Sequence, residues 1–357
     1  MSGGVDSSLA AHLLVEQGYD VIGVTMKLWG WMDSGGKPTH ESNCCSLDDI
    51  NNAKAECAAL GIPHYTLDMS AEFKQIVIKN FVSEYKAGRT PNPCIICNTE
   101  IKWHLLLDKM DDLGVDYLAT GHYARKIKHE ASDSWVVARG KDSIKDQSYV
   151  LWGIQKEDLA KTLFPLGDLS KKEVRALAGK ADMRTADTPE SMEICFVPDN
   201  DYRRFIGEQY PEVIESSPKG DFVDSDGEVI GEHQGVFNYT VGQRKGLGLA
   251  TGERVFVNKI DVENNTVHVG SRAEAESTTF TVNSCNWLIP ESYVLNQDTR
   301  VQIRYNHDAK PATITRLSHT EVQVVFHEPE HAITPGQSAV FFLDDAVVGG
   351  GVIHSVS

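Results

Sequence analysis

The sequence predicts an α/β protein in three parts: a parallel-sheet domain, a small central mostly-β domain and a C-terminal β-barrel. Strand-like and helix-like segments alternate over the first 200 residues, which is typical of a parallel sheet covered on both faces. A hinge rich in Pro, Ser and Gly follows at 211–220. After residue 278, short strand-like runs succeed one another, as in a small barrel. We therefore divide the chain into residues 1–200, 201–275 and 276–357.

The elements of the first part follow from apolar spacing and from helix-capping residues. Ser70 is a candidate helix cap, because Phe73, Ile76 and Val77 follow it at helical spacing. The other predicted segments are, in order, a helix at 9–15, a strand at 20–26, a helix at 48–60, a strand at 64–67, a helix at 100–112 and a strand at 117–120.

The remaining two parts contain mainly short β-like runs separated by turn residues. The central part has predicted strands at 221–223, 255–260 and 266–269. The predicted barrel strands begin near residue 278 and continue at 299–305, 312–317, 321–326, 339–343 and 347–353.

Composition limits the classes of function. The 357 residues contain 34 Lys and Arg against 51 Asp and Glu, a net charge of −17, which argues against a general nucleic-acid coat protein. An odd number of cysteines, seven, argues against a secreted disulfide framework. No signal peptide or long apolar run is visible, so we expect a cytoplasmic protein without a membrane span. In that compartment, a cysteine with a function is expected to be catalytic or metal-binding.

A glycine loop, SGGVDSS at 2–8, leads directly into a helix. Two glycines allow a tight turn, and the backbone amides, the serines and the helix N-terminus together form a nest suited to pyrophosphate. The loop lacks the lysine of a Walker A motif. Such loops normally follow a sheet strand, yet only Met1 precedes this one, so we expect that a first central strand is missing. The alternative is a genuine start and a sheet without that strand.

Two cysteines far apart in the chain suggest sulfur chemistry beside this loop. Cys97 follows a proline-stiffened loop and lies near the start of a predicted helix, where its pKa should be lowered. Cys195 lies in the segment 190–196. In an ATP enzyme, one cysteine of such a pair could carry a persulfide while the other resolves it by thiol–disulfide exchange.

These motifs carry a family resemblance that spans essentially the whole chain. The SGGVDSS string resembles the PP-loop of the ATP pyrophosphatase superfamily, which implies a Rossmann-like α/β domain. The strings that follow it in order resemble those of the tRNA-specific 2-thiouridylase family. They are TPNPCIICN at 90–98, ATGHY at 119–123, KDQSY at 145–149, the Cys195 segment, GEHQG at 231–235, YTVGQRKGLG at 239–248, RY at 304–305 and TPGQSAV at 334–340.

The resemblance implies a reaction. ATP, accompanied by Mg²⁺, would adenylate O2 of the wobble uridine of a tRNA, and a persulfide on Cys195 would then supply sulfur to C2 as AMP leaves. Cys97 would be the nucleophile that releases the sulfur, ending as a transient disulfide with Cys195. The sulfur would come from a cysteine desulfurase or a sulfur-relay protein.

The resemblance also assigns residues to the site, position by position. The implied ATP-binding residues are Ser2, Gly3, Gly4, Val5, Asp6, Ser7, Met26 and Gly121. Those facing the target base are Asn92, Pro93 and Cys94. Those contacting tRNA elsewhere are Lys145, Asp146, Gln147, Arg304 and Tyr305.

Cys94 departs from the family pattern, because some relatives have Asp there. Together with Cys97 it forms a C-x-x-C. It could fill the position without chemistry, or it could tune or shuttle sulfur with Cys97. It could also hold an iron–sulfur cluster or zinc together with Cys97 and Cys195, although a single C-x-x-C lacks the usual full ligand set.

Several other residues have both a functional and an ordinary interpretation. His122, at a predicted strand end, is a candidate for nucleotide or base contact. Trp29 and Trp31 could stack on a base but more simply pack in a loop. We expect Cys57 and Cys285 in the core and Cys44 and Cys45 in a loop. The local basic clusters that could contact RNA, or simply be solvated, are 125–128, 203–204 and 244–245.

Two other classes of function stay open from the residues alone. One is a different PP-loop adenylating enzyme, such as a 4-thiouridine synthase, an argininosuccinate synthetase or a GMP synthetase. The paired cysteines and the ordered strings in the last two parts argue against the latter two. The other is a non-catalytic tRNA-binding protein, which the missing strand would favour. Because no part is basic, we expect any tRNA to bind through few cations.

Overall fold

The computed structural model describes residues 1–29, 47–188, 194–197 and 199–357. The chain forms two compact units, which are described separately below. The first unit comprises residues 1–78, 94–201 and 345–347, and the second comprises 79–93, 202–344 and 348–357. Within the described ranges, no helix is long and apolar enough to cross a membrane.

The helices are mostly short, and two of the segments between them have the wider π-helical winding. The α-helices are α1 (Val5–Glu16), α2 (Leu47–Leu60), α3 (Ser70–Phe73), α4 (Lys79–Lys86), α5 (Pro93–Ile96), α6 (Leu106–Leu113), α7 (Lys156–Ala160), α8 (Lys171–Lys180), α9 (Tyr202–Gln209) and α10 (Pro211–Glu215). The π-helical segments are Lys74–Ile78 and Cys97–Leu105.

The strands divide between short pairs near the start and longer runs near the end of the chain. They are β1 (Gly23–Lys27), β2 (His64–Asp68), β3 (Leu118–Ala119), β4 (Ala124–His129), β5 (Ser134–Arg139), β6 (Thr162–Leu163), β7 (Gly220–Val223), β8 (Val229–His233), β9 (Phe256–Asp261), β10 (Thr266–Gly270), β11 (Glu276–Trp287), β12 (Asp298–Gln302), β13 (Lys310–Arg316), β14 (Glu321–His331), β15 (Ser338–Leu343) and β16 (Ala346–Val356).

The first unit is an α/β structure with parallel strands, which confirms the predicted fold class. β1 pairs in parallel with β2, and β3 pairs in parallel with β6. The strands are separated in sequence by helices, as parallel pairing requires. α1 packs on α8 through a core that includes Val5, Leu9 and Val174. This packing fixes the N-terminal end of α1, and with it the glycine loop.

Three helix starts differ from the sequence prediction. α1 begins at Val5, four residues before the predicted start at Leu9. The helix that contains Cys97 begins at Pro93 rather than at residue 100, because proline has a preset φ and is favoured in the first helical turn. Ser70 is the first residue of α3 and not its cap, and its backbone NH and hydroxyl both donate to Asp68.

An antiparallel hairpin in the first unit was absent from the prediction. β4 and β5 pair from Ala124↔Arg139 to His129↔Ser134. Arg125, Lys126 and Lys128 interrupt the apolar pattern of β4, so the strand appeared in the sequence only as a charged cluster. One edge of β5 continues the pairing, with Val137 opposite Val347 and Ala138 opposite Ala346.

The second unit contains two antiparallel-rich sheets. The central sheet has the strand order β8-β7-β10-β9, around a core that includes Phe222, Val257 and Val267. The last six strands follow the order β11-β14-β13-β12-β15-β16, and β11 also pairs with β16. This closure makes the predicted C-terminal barrel, and Phe280 and Phe341 are fully buried in this part of the chain.

Candidate adenylation and sulfur-transfer site

The glycine loop folds back on itself before α1. The backbone NH of Ser2 donates to Oγ of Ser7 at 3.1 Å, and the Ser7 hydroxyl donates to the carbonyl oxygen of Gly4 at 3.2 Å. Gly3 has a φ of +75°, and a Cβ there would lie 2.3 Å from the carbonyl oxygen of Asp49. The loop therefore requires glycine at this position, and it leaves the first amides of α1 available to an anion.

Two further predicted ATP residues lie at or just beyond the carboxyl ends of strands. Met26 is the second-last residue of β1, opposite Leu67 of β2. Gly121 follows β3, and a Cβ added there would lie 2.8 Å from the backbone of Asp6 and Ser7. The structure thus brings Gly121 directly onto the loop. Such a close backbone cradle fits the pyrophosphate end of ATP.

The carboxylate of Asp6 is held by two side chains from distant parts of the chain. Nζ of Lys171 lies 2.8 Å from Oδ1 and 2.9 Å from Oδ2 of Asp6. The hydroxyl of Tyr123 donates to Oδ1 at 2.6 Å. Neither Lys171 nor Tyr123 was a sequence candidate for the site. Only the string at 119–123 and the helix start at Ser170 gave any signal for them.

The helix that begins at Pro93 places the two cysteines of the C-x-x-C in different environments. Cys94 is exposed, whereas Cys97 is buried and is the first residue of the π-helical segment. The side-chain amide of Asn98 donates to the carbonyl oxygen of Val150 at 3.0 Å and so ties this segment to the chain after the KDQSY string. Cys97 therefore lies one turn inside the helix, further from its N-terminus than predicted.

Cys195 lies in the short described segment 194–197. Its thiol is half-buried, and the next side chain, Phe196, packs in an aromatic cluster with Trp29 and Phe73. This packing anchors the position of Cys195 in the first unit. The neighbouring residues 189–193 and 198, and the candidates Trp31, Cys44 and Cys45, lie outside the described residues.

The cluster interpretation of the cysteines gains no support from the structure. In the parts of the chain that the structure describes, no three His, Cys, Asp or Glu side chains form a group that could hold a metal ion. Cys94, Cys97 and Cys195 all lie within those parts. The structure thus does not bring them together as a ligand set.

The loop before Pro93, here called the base loop (residues 89–93), is held within the second unit. Nε2 of Gln337 donates to the carbonyl oxygens of Thr90 at 2.9 Å and Pro91 at 3.1 Å. The backbone NH of Thr90 donates to the carbonyl oxygen of Pro335 at 2.9 Å. Gly336, with a φ of +91°, leaves only 2.9 Å between a hypothetical Cβ and the Thr90 backbone. These contacts fix the loop that contains Asn92.

The predicted tRNA residues at 145–147 form a tight turn. Asp146 accepts hydrogen bonds from the guanidinium of Arg139 at 2.9 Å, from the Ser148 hydroxyl at 2.8 Å and from two backbone amides. Oε1 of Gln147 accepts from the backbone NH of Tyr123 at 2.9 Å. Asp146 and Gln147 therefore shape this turn, whether or not they also meet RNA.

The other predicted tRNA residues lie in the second unit. Arg304 donates to the carbonyl oxygen of His331 at 2.9 Å, and Tyr305 is 41% exposed. Arg203 donates to the carbonyl oxygen of Asn238. In the basic turn at 244–245, Arg244 lines an open groove together with Glu253 and Arg254.

The remaining candidates lie among packed side chains. Nδ1 of His122 lies 2.9 Å from the Thr120 hydroxyl, and its ring is tilted on Trp103. Burial lowers the pKa of His122 well below 6.5, and Lys102 contributes in the same direction, so its ring is neutral. Cys57 is fully buried, as expected. Cys285 is half-buried, and burial raises its thiol pKa to about 12.

Comparison with protein families gives matches in three consecutive stretches of the chain. Residues 1–199 match the family described as tRNA methyl transferase HUP domain. Residues 208–271 match the tRNA methyl transferase PRC-barrel domain, and residues 277–353 match the aminomethyltransferase beta-barrel domain.

Curated relatives match over almost their entire lengths. A protein of Salinibacter ruber is 46% identical over 100% of this chain and 93% of its own. Proteins of Amoebophilus asiaticus and Cytophaga hutchinsonii are 47% and 46% identical over 99% of this chain and 94% and 96% of their own. All three are named tRNA-specific 2-thiouridylase MnmA. A solved structure from Methanocaldococcus jannaschii, titled a predicted subunit of tRNA methyltransferase, covers 50% of this chain and 73% of its own at 18% identity, with a TM-score of 0.28.

Proposed function

Because the chain belongs to the tRNA-specific 2-thiouridylase family, we propose that it converts the wobble uridine of tRNA to 2-thiouridine at the expense of ATP. It is accordingly a sulfurtransferase that acts on tRNA. The observation that carries the proposal is the glycine loop at 2–8, here called the phosphate loop. A Cβ at Gly3 of this loop, or at Gly121 beside it, would have no room against the neighbouring backbone. The nest formed by this loop suits the pyrophosphate that adenylation releases.

The family descriptions name methyl transfer, whereas the full-length relatives name thiolation. We follow the relatives, because their identity of 46–47% extends over the whole chain. Thiolation also makes use of both the phosphate loop and the cysteine pair. The uridine oxygen is a poor leaving group until it carries AMP, which explains why a sulfur-transfer enzyme has an ATP site.

In the proposed reaction, Ser2 to Ser7, Met26 and Gly121 line the ATP site, and O2 of uridine attacks the α-phosphorus as pyrophosphate leaves. Mg²⁺ would accompany ATP. The described residues offer no three-ligand group of their own, so Mg²⁺ would be held chiefly by the phosphates, as is usual for this ion.

Sulfur transfer follows in two bond exchanges. The terminal sulfur of a Cys195 persulfide attacks C2 of the base, and the C2–O2 bond to AMP breaks. The thiolate of Cys97 then attacks Sγ of Cys195, which leaves 2-thiouridine and a Cys97–Cys195 disulfide. A reductant must reopen that disulfide, and a cysteine desulfurase or a relay protein must reload Cys195.

Recognition of tRNA completes the proposal. Asn92, Pro93 and Cys94 would face the target base, while Lys145 to Gln147, Arg304 and Tyr305 would contact tRNA elsewhere. The three-part division at residues near 200 and 275 would separate the ATP domain from two tRNA-contacting domains. We place the reaction in the cytoplasm, because a thiol enzyme of this type needs a reducing compartment.

The direct test is ATP-dependent formation of 2-thiouridine on tRNA with a sulfide or persulfide donor, together with release of pyrophosphate. The expected result is that both products appear only when ATP and tRNA are present. Binding of tRNA without release of pyrophosphate would refute the proposal that the protein is an enzyme, and it would favour a non-catalytic tRNA-binding protein.

Cys195→Ala separates the two halves of the reaction. We expect thiolation to be abolished and pyrophosphate release to persist, because adenylation needs no thiol. Cys285→Ala is the matched control, since this half-buried cysteine lies in the barrel, and it should retain both activities. Thiolation by Cys195→Ala would contradict the persulfide role.

A further inference from the structure

We propose that Lys171 is a positioning residue that sets the charge of the phosphate loop by neutralising Asp6, so that the loop accepts the polyphosphate of ATP. This inference rests on the proposed use of ATP. It concerns one ion pair of the first unit, formed by residues 165 positions apart in sequence.

The phosphate loop combines groups that attract an anion with a carboxylate that repels one. Its amides and the N-terminus of α1 favour an anion, yet Asp6 places a carboxylate in the first turn of that same helix. An uncompensated carboxylate within several ångströms of a polyphosphate would repel it and so oppose the attraction of the nest. The loop therefore needs a cation at Asp6.

Lys171 is placed to meet this need. Its ammonium group contacts both carboxylate oxygens of Asp6, at 2.8 and 2.9 Å, and its side chain is only 11% exposed. The ammonium also lies 5.6 Å from the centre of the Tyr123 ring, while the hydroxyl of that tyrosine donates to Oδ1 of Asp6. Asp6 is 33% exposed, so the pair is partly buried, and it is screened less than a fully exposed surface pair.

The backbone of Lys171 is fixed as firmly as its side chain. Ser170 caps α8 with a capping box closed by Glu173, which makes Lys171 the first residue of the helix. The backbone NH of Lys171 donates to Asp142 at 2.8 Å. The ammonium group is thus delivered to Asp6 by a capped helix rather than by a flexible surface segment.

Lys171 could act by neutralising Asp6 or by binding phosphate directly, and its contacts favour the first role. With both Asp6 oxygens engaged by Lys171 and one also by Tyr123, the carboxylate is oriented as well as neutralised. Lys171 acts through Asp6 in this arrangement. A lysine that instead bound phosphate directly would be needed whether or not Asp6 were charged.

The test is a charge cycle measured as ATP affinity by titration calorimetry in EDTA, so that Mg²⁺ plays no part. Lys171→Met leaves the loop one charge more negative and should weaken ATP binding about tenfold. Asp6→Asn keeps an oxygen for Tyr123 and Lys171 but removes the negative charge, so it should bind ATP more tightly than wild type. The double variant restores neutrality and should return to within about threefold of wild type.

Lys141→Met is the matched control. Lys141 pairs with Glu173 of the same helix at 3.0 Å but is half exposed and does not touch the loop, so ATP affinity should stay within about twofold of wild type. Lys171→Arg keeps the charge and should retain most of the affinity. Thermal unfolding of each variant verifies that it is folded.

Three results would overturn the inference: wild-type affinity in Lys171→Met, weaker binding by Asp6→Asn, or a double variant as weak as Lys171→Met. The last result would instead indicate direct contact of Lys171 with phosphate. Failure of the wild-type protein to bind ATP would refute the proposed function itself, which keeps the two failures distinguishable.

Discussion

The phosphate loop of the first unit and the base loop of the second unit are held in different ways. The phosphate loop depends on a charged pair, Asp6 with Lys171, and on a glycine contact at Gly121. The base loop depends on neutral hydrogen bonds from Gln337 and on a glycine contact at Gly336.

The difference matches what each loop is proposed to bind. A loop for a polyanion must have its own charge balanced, and its properties will respond to charge substitutions. A loop for an uncharged base needs a fixed shape and donors in known places, and it will respond to the loss of hydrogen bonds. Substitutions in one loop should therefore have little effect on the binding of the ligand of the other loop.

The largest effect is expected for Gly121→Ala. The added Cβ would lie 2.8 Å from the backbone of Asp6 and Ser7, which cannot yield as a side chain could. Overpacking of about 3 kcal/mol would weaken ATP binding about 100-fold, as measured by calorimetry. Binding of tRNA should change little.

Gly179→Ala is the control for Gly121→Ala, because Gly179 lies in α8 of the same unit with open space around its Cβ position. It should leave ATP affinity unchanged and slightly stabilise the helix. An ATP affinity of Gly121→Ala equal to that of this control would remove Gly121 from the phosphate site.

Gly336→Ala should have the next largest effect, and on tRNA rather than on ATP. A side chain at a φ of +91°, placed 2.9 Å from the Thr90 backbone, must displace the base loop. We expect kcat/KM for tRNA to fall about 30-fold. Gly227→Ala has a similar φ of +86° in open space, so it isolates backbone strain from the contact. Equal losses in both variants would show that strain alone matters.

Gln337→Met tests the neutral contacts of the base loop. It keeps the length of the side chain but removes the amide that donates to Thr90 and Pro91. Two neutral hydrogen bonds correspond to roughly tenfold in kcat/KM for tRNA, with no change in ATP affinity. A loss of ATP affinity in this variant would contradict the independence of the two loops.

The smallest effect concerns acid stability, and it compares one histidine from each unit. Burial lowers the pKa of His122 well below 6.5 and also lowers that of His233. As the pH falls, each histidine is protonated in the unfolded chain before it is protonated in the folded protein. The contribution of the neutral histidines to the free energy of unfolding is therefore complete above pH 6.5 and is lost as the pH falls. His122→Gln and His233→Gln should therefore each flatten the acid loss of stability relative to the wild type. Urea unfolding at pH 7 and pH 5 measures the effect, and an unchanged pH dependence in either variant would remove that histidine from the acid response.

Local pattern was sufficient to predict several elements of the fold. The helix predicted at 48–60 is α2 (Leu47–Leu60), and the strand predicted at 64–67 is β2 (His64–Asp68). Both have clear periodicity bounded by turn residues. The glycine loop was recognisable for a similar reason, since its backbone geometry depends on a few adjacent residues.

Contacts between distant residues were not predictable in this way. Lys171 and Asp6 are 165 residues apart, and Gln337 and Thr90 are 247 residues apart. A lysine at a helix start and a glutamine in a turn are ordinary features until the fold shows what they touch. The site roles proposed for Asn92, Cys97 and Cys195 rest on family resemblance and stay predictions.

In the π-helical segment Cys97–Leu105, the direction of the Cys97 side chain depends more on how many residues the segment contains than on which residues they are. A π-helical turn holds more residues than an α-helical turn, so the side chains that share a face with Cys97 are spaced more widely than they would be in α6. Removal of one residue would change that spacing and turn the Cys97 side chain about the helix axis relative to α6. Substitutions of equal length leave that spacing unchanged, so the segment tolerates changes of chemistry better than changes of length.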